Sequence, residues 1–224
     1  MIRWRSGPVV AVRREWPGVR EVMVDVRGDG VTAALAYLDV VGTPEVGDRV
    51  LLNTTALVQG LGTGGHALVV ALPDRLPPDA SGPGHLVKAR YTPLQTTVLG
   101  VDEPDSPHHG LVAAAGSIDR MPVVIADLHS ALPAIVAGAL ADRPGARIAY
   151  LLTDGGALPM AYSHTVAALR GQLCGTVSTG QAFGGDLEAV TLHTGLLAAR
   201  HVLGADLAVV TQGPGNLGTA TPWG

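Results

Sequence analysis

Four times in its second half this sequence repeats one arrangement, a short unbroken apolar run that ends abruptly in polar and glycine residues. Val123-Val-Ile-Ala-Asp127 meets Leu-His-Ser130, and Ile148-Ala-Tyr-Leu-Leu-Thr153 meets Asp-Gly-Gly156. Gly175-Thr-Val-Ser178 meets Thr-Gly-Gln181, and Leu207-Ala-Val-Val-Thr211 meets Gln-Gly-Pro-Gly215. A strand buried on both faces reads as a continuous apolar run, whereas a half-buried one alternates. Helical patterns separate the runs. Ser130 to Leu140 is alanine-rich, with Pro133 tolerated in its first turn. Tyr162 to Arg170 is shorter. Asp186 to Leu203 is the strongest, with Asp186 as cap, Glu188 near the positive end of the dipole and Gly204 as stop. Strand and helix in alternation predict parallel strands near 123–127, 148–152, 174–178 and 207–211, in a Rossmann-like α/β domain.

The first 72 residues follow a different period. Val22, Val24 and Val26 alternate with Glu21, Met23 and Asp25, as on a half-buried strand. Further strand composition recurs at Gly7–Val12, Val31–Val41, Asp48–Asn53 and His66–Leu72, with turn residues between. Five or six short strands at this spacing predict a small β-barrel. Gly60-Leu-Gly-Thr-Gly-Gly65 is read as a flexible connection, since no helix pattern follows to complete a phosphate cradle. Arg3, Arg5, Arg13, Arg14, Arg20 and Arg27 crowd the first strands, but Glu15, Glu21, Asp25 and Asp29 are interleaved with them. That interleaving, few aromatic residues and a net charge of −4 argue against nucleic acid as a partner.

The proline- and glycine-rich stretch from Pro73 to Gly84 divides the chain into a barrel with its linker, residues 1–84, and an α/β domain, residues 85–224. Residues 85–101 read as two more strands that could pair with either part. Asp102 to His109 reads as an exposed acidic loop entering the second domain. Cys174 is the sole cysteine, which excludes an internal disulfide and fits structural burial in a reducing setting. No run approaches the ~18–20 apolar residues of a membrane span. A cytoplasmic protein without a membrane partner is expected, and self-association is left open.

In an open α/β sheet, ligands bind outside the carboxyl ends of the strands. The pattern delivers Asp127, His129 and Asp154 there as candidates for acid/base work or a divalent metal. Ser130, Gly155, Ser178, Thr179, Gly180, Gln212, Gly213, Gly215 and Asn216 are candidate ligand-binding residues, with backbone amides of Gly155, Gly180 and Gly213 favouring an anion. Gly180 to Asp186 is a second anion-binding candidate, at the start of the long helix. Gly213-Pro-Gly-Asn-Leu-Gly218 satisfies the letters of a dinucleotide fingerprint, but Thr219 to Gly224 is poor helix. Ser178 lacks the glycine spacing of a nucleophile elbow. No motif names a cofactor.

Several stretches together resemble a known family: Gly47-Asp-Arg-Val-Leu-Leu-Asn-Thr-Thr-Ala56, Gly60 to Gly65, Arg90-Tyr-Thr-Pro-Leu-Gln95, Ser106-Pro-His-His109, Asp127-Leu-His-Ser130, Thr153-Asp-Gly-Gly156 and Thr211-Gln-Gly-Pro-Gly215. The likeness is to an uncharacterised bacterial family, domain of unknown function thirty-eight sixty-six. It implies no activity. It does imply that relatives extend past the position where this chain ends, which would leave the α/β domain truncated. Two readings of function follow. One is a small-molecule ligand-binding or enzymatic α/β domain, its ligand anionic or phosphate-bearing and held at the strand ends. The other is a regulatory or binding protein whose barrel docks a protein or nucleic-acid partner.

Overall fold

The computed structural model describes residues 1–79, 81–219, 221 and 222, and it divides into two compact units, Met1–Ser81 and Gly82–Gly224. Valine alternation builds the first unit. Val22, Val24 and Val26 of β2 (Val19–Val26) face one apolar interior with Val9 of β1 (Trp4–Trp16) and Ala34 and Ala36 of β3 (Gly30–Tyr37). Val50 and Leu52 of β4 (Arg49–Asn53) and Ala67 and Val69 of β5 (Ala67–Ala71) complete it. Giving every second side chain to one interior is the consequence of the two-residue strand period. The strands close in the order β1-β2-β3-β5-β4, with β4 returning to β1. Only the β3–β5 pairing is parallel. Closure leaves this sheet without an open edge.

The strand composition expected to reach Val41 stops at Tyr37, and Leu38–Val41 forms a one-turn helix, α1. A second one-turn helix, α2 (Thr55–Val58), precedes the glycine run. Gly60, Gly62, Gly64 and Gly65 all have positive φ and lead directly into β5, so the run serves as a connection.

In the second unit, β6 (Leu86–Lys88) and β7 (Thr96–Val98) pair with each other as an antiparallel hairpin. The helix α3 (His109–Ala114) follows. The loop before it is not simply exposed: Glu103 folds inward, accepting hydrogen bonds from the amides of Gly100 and His85. The main sheet holds β8 (Val123–Ala126), β9 (Ile148–Thr153), β10 (Gly175–Thr179), β11 (Leu187–Ala189) and β12 (Leu207–Gln212). Their order is β11-β10-β9-β12-β8, and every neighbouring pair is parallel. Three helices join them: α4 (Leu132–Asp142), α5 (His164–Leu169) and α6 (Leu192–His201).

The two faces of this sheet are both covered. Ile148, Tyr150 and Leu152 of β9 pack with α4 and α5, while Ala149 and Leu151 pack with α3 and α6. That is why the strands read as unbroken apolar runs. Pro133 lies in the first turn of α4, where its missing N–H costs nothing, and a short 3₁₀ turn, His129–Ala131, precedes it. Cys174 is half-buried against the α6-facing core, and burial pushes its thiol up. Among the described residues no helix is long and apolar enough to cross a membrane.

One expected element is corrected. The helix assigned to Asp186–Leu203 begins only at Leu192, capped by the Thr191 side chain, and Leu187–Ala189 is instead the edge strand β11. Asp186 does not cap it. Its carboxylate takes the amide and hydroxyl of Thr176 and the guanidinium of Arg170. Gly204, with φ of 62°, follows the helix as expected.

Candidate functional site

Because all five strands run the same way, the loops after β8, β9, β10 and β12 emerge at one edge of the sheet. Most of the expected ligand-binding residues are consumed there by holding loop to loop. Gln212 donates through Nε2 to the Asp127 carbonyl at 2.9 Å and to Asn216 Oδ1 at 2.5 Å. A Cβ on Gly155 would meet Gln212, one on Gly156 would lie 2.2 Å from the Gly213 carbonyl oxygen, and one on Gly213 2.3 Å from that of Ala157. These glycines let the β9 and β12 loops close on one another.

The loop from Gly180 to Asp186 is likewise spent. Its seven amides donate in turn to Val190 O, Asp154 Oδ2, Thr179 O, Leu158 O, Glu188 Oε1, Ser178 Oγ and Thr176 Oγ1. No amide remains to cradle an anion, and no helix starts there. Ser178 and Thr179 are buried, Ser178 holding the Gly185 amide and Thr179 the Leu152 carbonyl. Ser130 and Gly215 are exposed at the edge.

His129 turns inward. Ser163 Oγ accepts the Val166 amide at 3.0 Å as cap of α5 and lies 2.6 Å from His129 Nε2. Thr211 gives its one hydroxyl proton to the Gln212 carbonyl and Tyr150 gives its own to Thr211, so the ring proton sits on Nδ1, 2.9 Å from Tyr150 Oη, and Nε2 accepts from Ser163. Tyr150 donates to Thr211 Oγ1 at 2.9 Å, and Thr211 to the Gln212 carbonyl at 2.8 Å. Burial lowers the His129 pKa and raises that of Tyr150, so the chain is neutral throughout. With both nitrogens committed, His129 is not a ligand, and Asp127, His129 and Asp154 form no metal-binding group. The metal-binding trio expected from the Asp-x-His spacing is not assembled.

What opens at the edge is a cleft of about 420 Å³ beside β10, lined by residues from two stretches that the strand-end argument had not combined. His85, Leu86, Val87, Lys88 and Arg90 come from the β6 hairpin; Asp154, Gly180, Gln181 and Val190 come from the main sheet. Lys88 forms its floor, 2% exposed, with Nζ donating to the carbonyls of Gly180 at 2.9 Å and Ala189 at 3.2 Å. Glu188 stands 3.3 Å from Nζ, and its Oε2 has no hydrogen-bond partner among the described residues. Lys88 thus fastens the hairpin to the sheet.

Above the floor, Ala89 and Tyr91 have φ of 48° and 61°, the left-handed region that costs a residue with Cβ of order 1 kcal/mol or more. Two glutamines hold the turn there: the Arg90 amide donates to Gln181 Oε1 at 2.9 Å and the Tyr91 amide to Gln95 Oε1 at 3.1 Å. Arg90 is left between two strained residues, its guanidinium engaged by no other described residue. Neither Lys88 nor Arg90 was singled out as a site residue from the sequence, although Arg90-Tyr-Thr-Pro-Leu-Gln95 is one of the stretches that carry the family resemblance.

A closed five-stranded barrel in one unit, and in the other a parallel sheet covered on both faces with a cleft at its strand ends, define the class of protein. The chain belongs to the family described as "Protein of unknown function (DUF3866)", which matches residues 33–224. The stretches from Gly47 to Gly215 quoted above all lie within that span. No curated protein and no solved structure matches the chain.

Proposed function

We propose that the second unit binds a small organic anion in the cleft beside β10, in the manner of a Rossmann-like domain that uses the carboxyl edge of its sheet. The observation that carries this reading is Arg90, a lining residue of the cleft on a braced and strained hairpin, whose guanidinium has no partner among the described residues. A cavity of this size suits a small metabolite. Backbone strain is retained where neighbouring structure over-determines it, and such places cluster at ligand clamps. In the barrel, by contrast, five of the six arginines of the first strands, Arg3, Arg5, Arg13, Arg14 and Arg20 but not Arg27, are ion-paired with carboxylates among the described residues, which leaves that surface little charge to offer a nucleic acid.

The test is a thermal-shift screen of the whole chain against phosphorylated sugars, nucleotides and organic carboxylates. A ligand at a hundred times its dissociation constant stabilises the folded state by about 2.7 kcal/mol. At least one organic anion should raise the transition, and Arg90→Ala should abolish that rise. A screen in which nothing shifts, or a shift that survives Arg90→Ala, overturns the assignment.

A further inference from the structure

The cleft holds one acid among its unengaged groups. Asp154 spends Oδ2 on the Gln181 amide at 2.9 Å, which leaves Oδ1 without a partner among the described residues. Gln181 accepts the Arg90 amide through Oε1, so its Nε2 is the end left unbonded. Arg90 and Asp154 line the same cleft, yet no ion pair joins them. Val87 and Val190, 37% and 53% exposed, add two apolar surfaces.

A bare inorganic anion is poorly matched to this set, because the Asp154 carboxylate would repel it while Arg90 attracted it. A carboxylate that keeps one lone-pair face open asks for a donor. Resting on the reading that Arg90 selects an organic anion, we propose that the ligand is bifunctional. It carries an anionic head for Arg90 and Gln181 Nε2, and a hydrogen-bond-donating group for Asp154 Oδ1. A short carbon body against Val87 and Val190 joins the two. Hydroxyls of a sugar phosphate and the ammonium of an apolar α-amino acid supply the same donor chemistry. Binding sites that pair a polar group with its complement discriminate strongly against analogues lacking it, since the group would otherwise be left unpaired.

Matched pairs of probes test this by calorimetry on the whole chain. Ribose 5-phosphate is compared with n-pentyl phosphate, which keeps the phosphate monoester and the carbon body but lacks the hydroxyls, and leucine with 4-methylpentanoate, which lacks only the amine. In one of the two pairs the donor-bearing member should bind at least ten-fold more tightly, about 1.4 kcal/mol. Which pair discriminates identifies the source of the donor. Asp154→Asn keeps an oxygen for the Gln181 amide but turns the open oxygen into an NH2 group, so it should erase the discrimination. Should that variant fail to fold, the comparison within each pair on the parent protein still decides. Equal binding of both members of each pair, abolished by Arg90→Ala, would overturn the bifunctional ligand and leave the anion site standing. Binding of no probe in either pair overturns the bifunctional ligand, and the wider anion screen then judges the site by itself. A selectivity that Asp154→Asn leaves intact would remove Asp154 from the proposal.

Discussion

Glu21 of the barrel and Glu188 of the α/β unit are both withdrawn from water, yet their carboxyls move in opposite directions. Glu21 lies on the outer face of β2, covered by groups that themselves reach solvent. Arg14 Nε is 2.6 Å from it, Arg13 Nη1 3.2 Å and His66 Nε2 3.3 Å, and both arginine side chains are more than half exposed. Lost hydration raises its pKa, but the hydrogen bonds and charges of Arg14 and His66 outweigh that, and the carboxyl ends below its usual 4.5. Glu188 has one cation, and Lys88 directs two of its hydrogens to carbonyls. Lost hydration prevails there over the Lys88 charge and the Gly184 amide, and the carboxyl is pushed above 4.5. A buried acid is therefore not one kind of object: what covers it, and whether the cover is aimed at it, sets the sign.

The largest effect that would break this comparison comes from removing the cation beside Glu188. Lys88→Met strands Glu188 beside two unsatisfied carbonyls, and uncompensated buried charge costs about 3–5 kcal/mol. Arg14→Met leaves Glu21 with Arg13, His66 and nearby water, and the expected loss is at most about 1 kcal/mol, as for exposed pairs. Lys88→Met with Glu188→Leu should recover most of the first loss, because an apolar replacement of both partners is tolerated. Chemical denaturation followed by hydrogen exchange, which reads each unit separately, checks all three. Equal losses for Lys88→Met and Arg14→Met would show that cover and burial are equivalent after all.

The Lys88–Glu188 pair also marks the limit of what the sequence exposes. The barrel was legible because Val22, Val24 and Val26 alternate, and the sheet because its four runs are apolar throughout. Both signals are local. Lys88 and Glu188 are a hundred positions apart, and β11 is three residues long, stabilised by pairing with β10 and not by any pattern of its own. Asp186 and Glu188 looked like the start of a helix because acids suit a helix N-terminus. Their carboxylates are claimed instead by Thr176 and Arg170, and by the Gly184 amide and Lys88. The strand-end glycines were legible as a cluster but not in purpose, since close packing between Gly156 and Gly213 is invisible until the two loops meet. Of the cleft, Asp154 and Gly180 were found by the strand-end rule, while Lys88 and Arg90 sit on a hairpin that rule does not cover.

A smaller effect separates the two acids by pH. Glu21 has a depressed folded pKa, so its contribution is present above 4.5 and is lost as pH falls through the folded value. Glu188 has a raised one, so between 4.5 and its folded value the folded state holds the extra proton, and stability falls as pH rises across that window. Acidification should therefore weaken the barrel while relieving the α/β unit at this position. Glu188→Gln should flatten the fall with rising pH in the second unit without altering the first. Unit-resolved exchange at a series of pH values reads both slopes, and slopes of the same sign in the two parent units, unchanged by Glu188→Gln, would contradict the assignment.

The smallest expected effect is one of salt, and it isolates the cover from the burial. The Debye length shortens from about 10 Å at 0.1 M to about 3 Å at 1 M, so salt weakens attraction between charges that solvent reaches. Arg13 and Arg14 are of that kind, whereas Lys88 and Glu188 are 2% and 9% exposed in their side chains and admit no counterion between them. The gap in melting temperature between the parent and Arg14→Met should narrow from 0.05 M to 1 M sodium chloride. The gap between the parent and Lys88→Met should stay as it was. General effects of salt on folding act on parent and variant alike, so the differences, not the melting temperatures themselves, carry the result. If both gaps narrow together, solvent reaches the Lys88–Glu188 pair, and the floor of the cleft is open to water where the structure shows it closed.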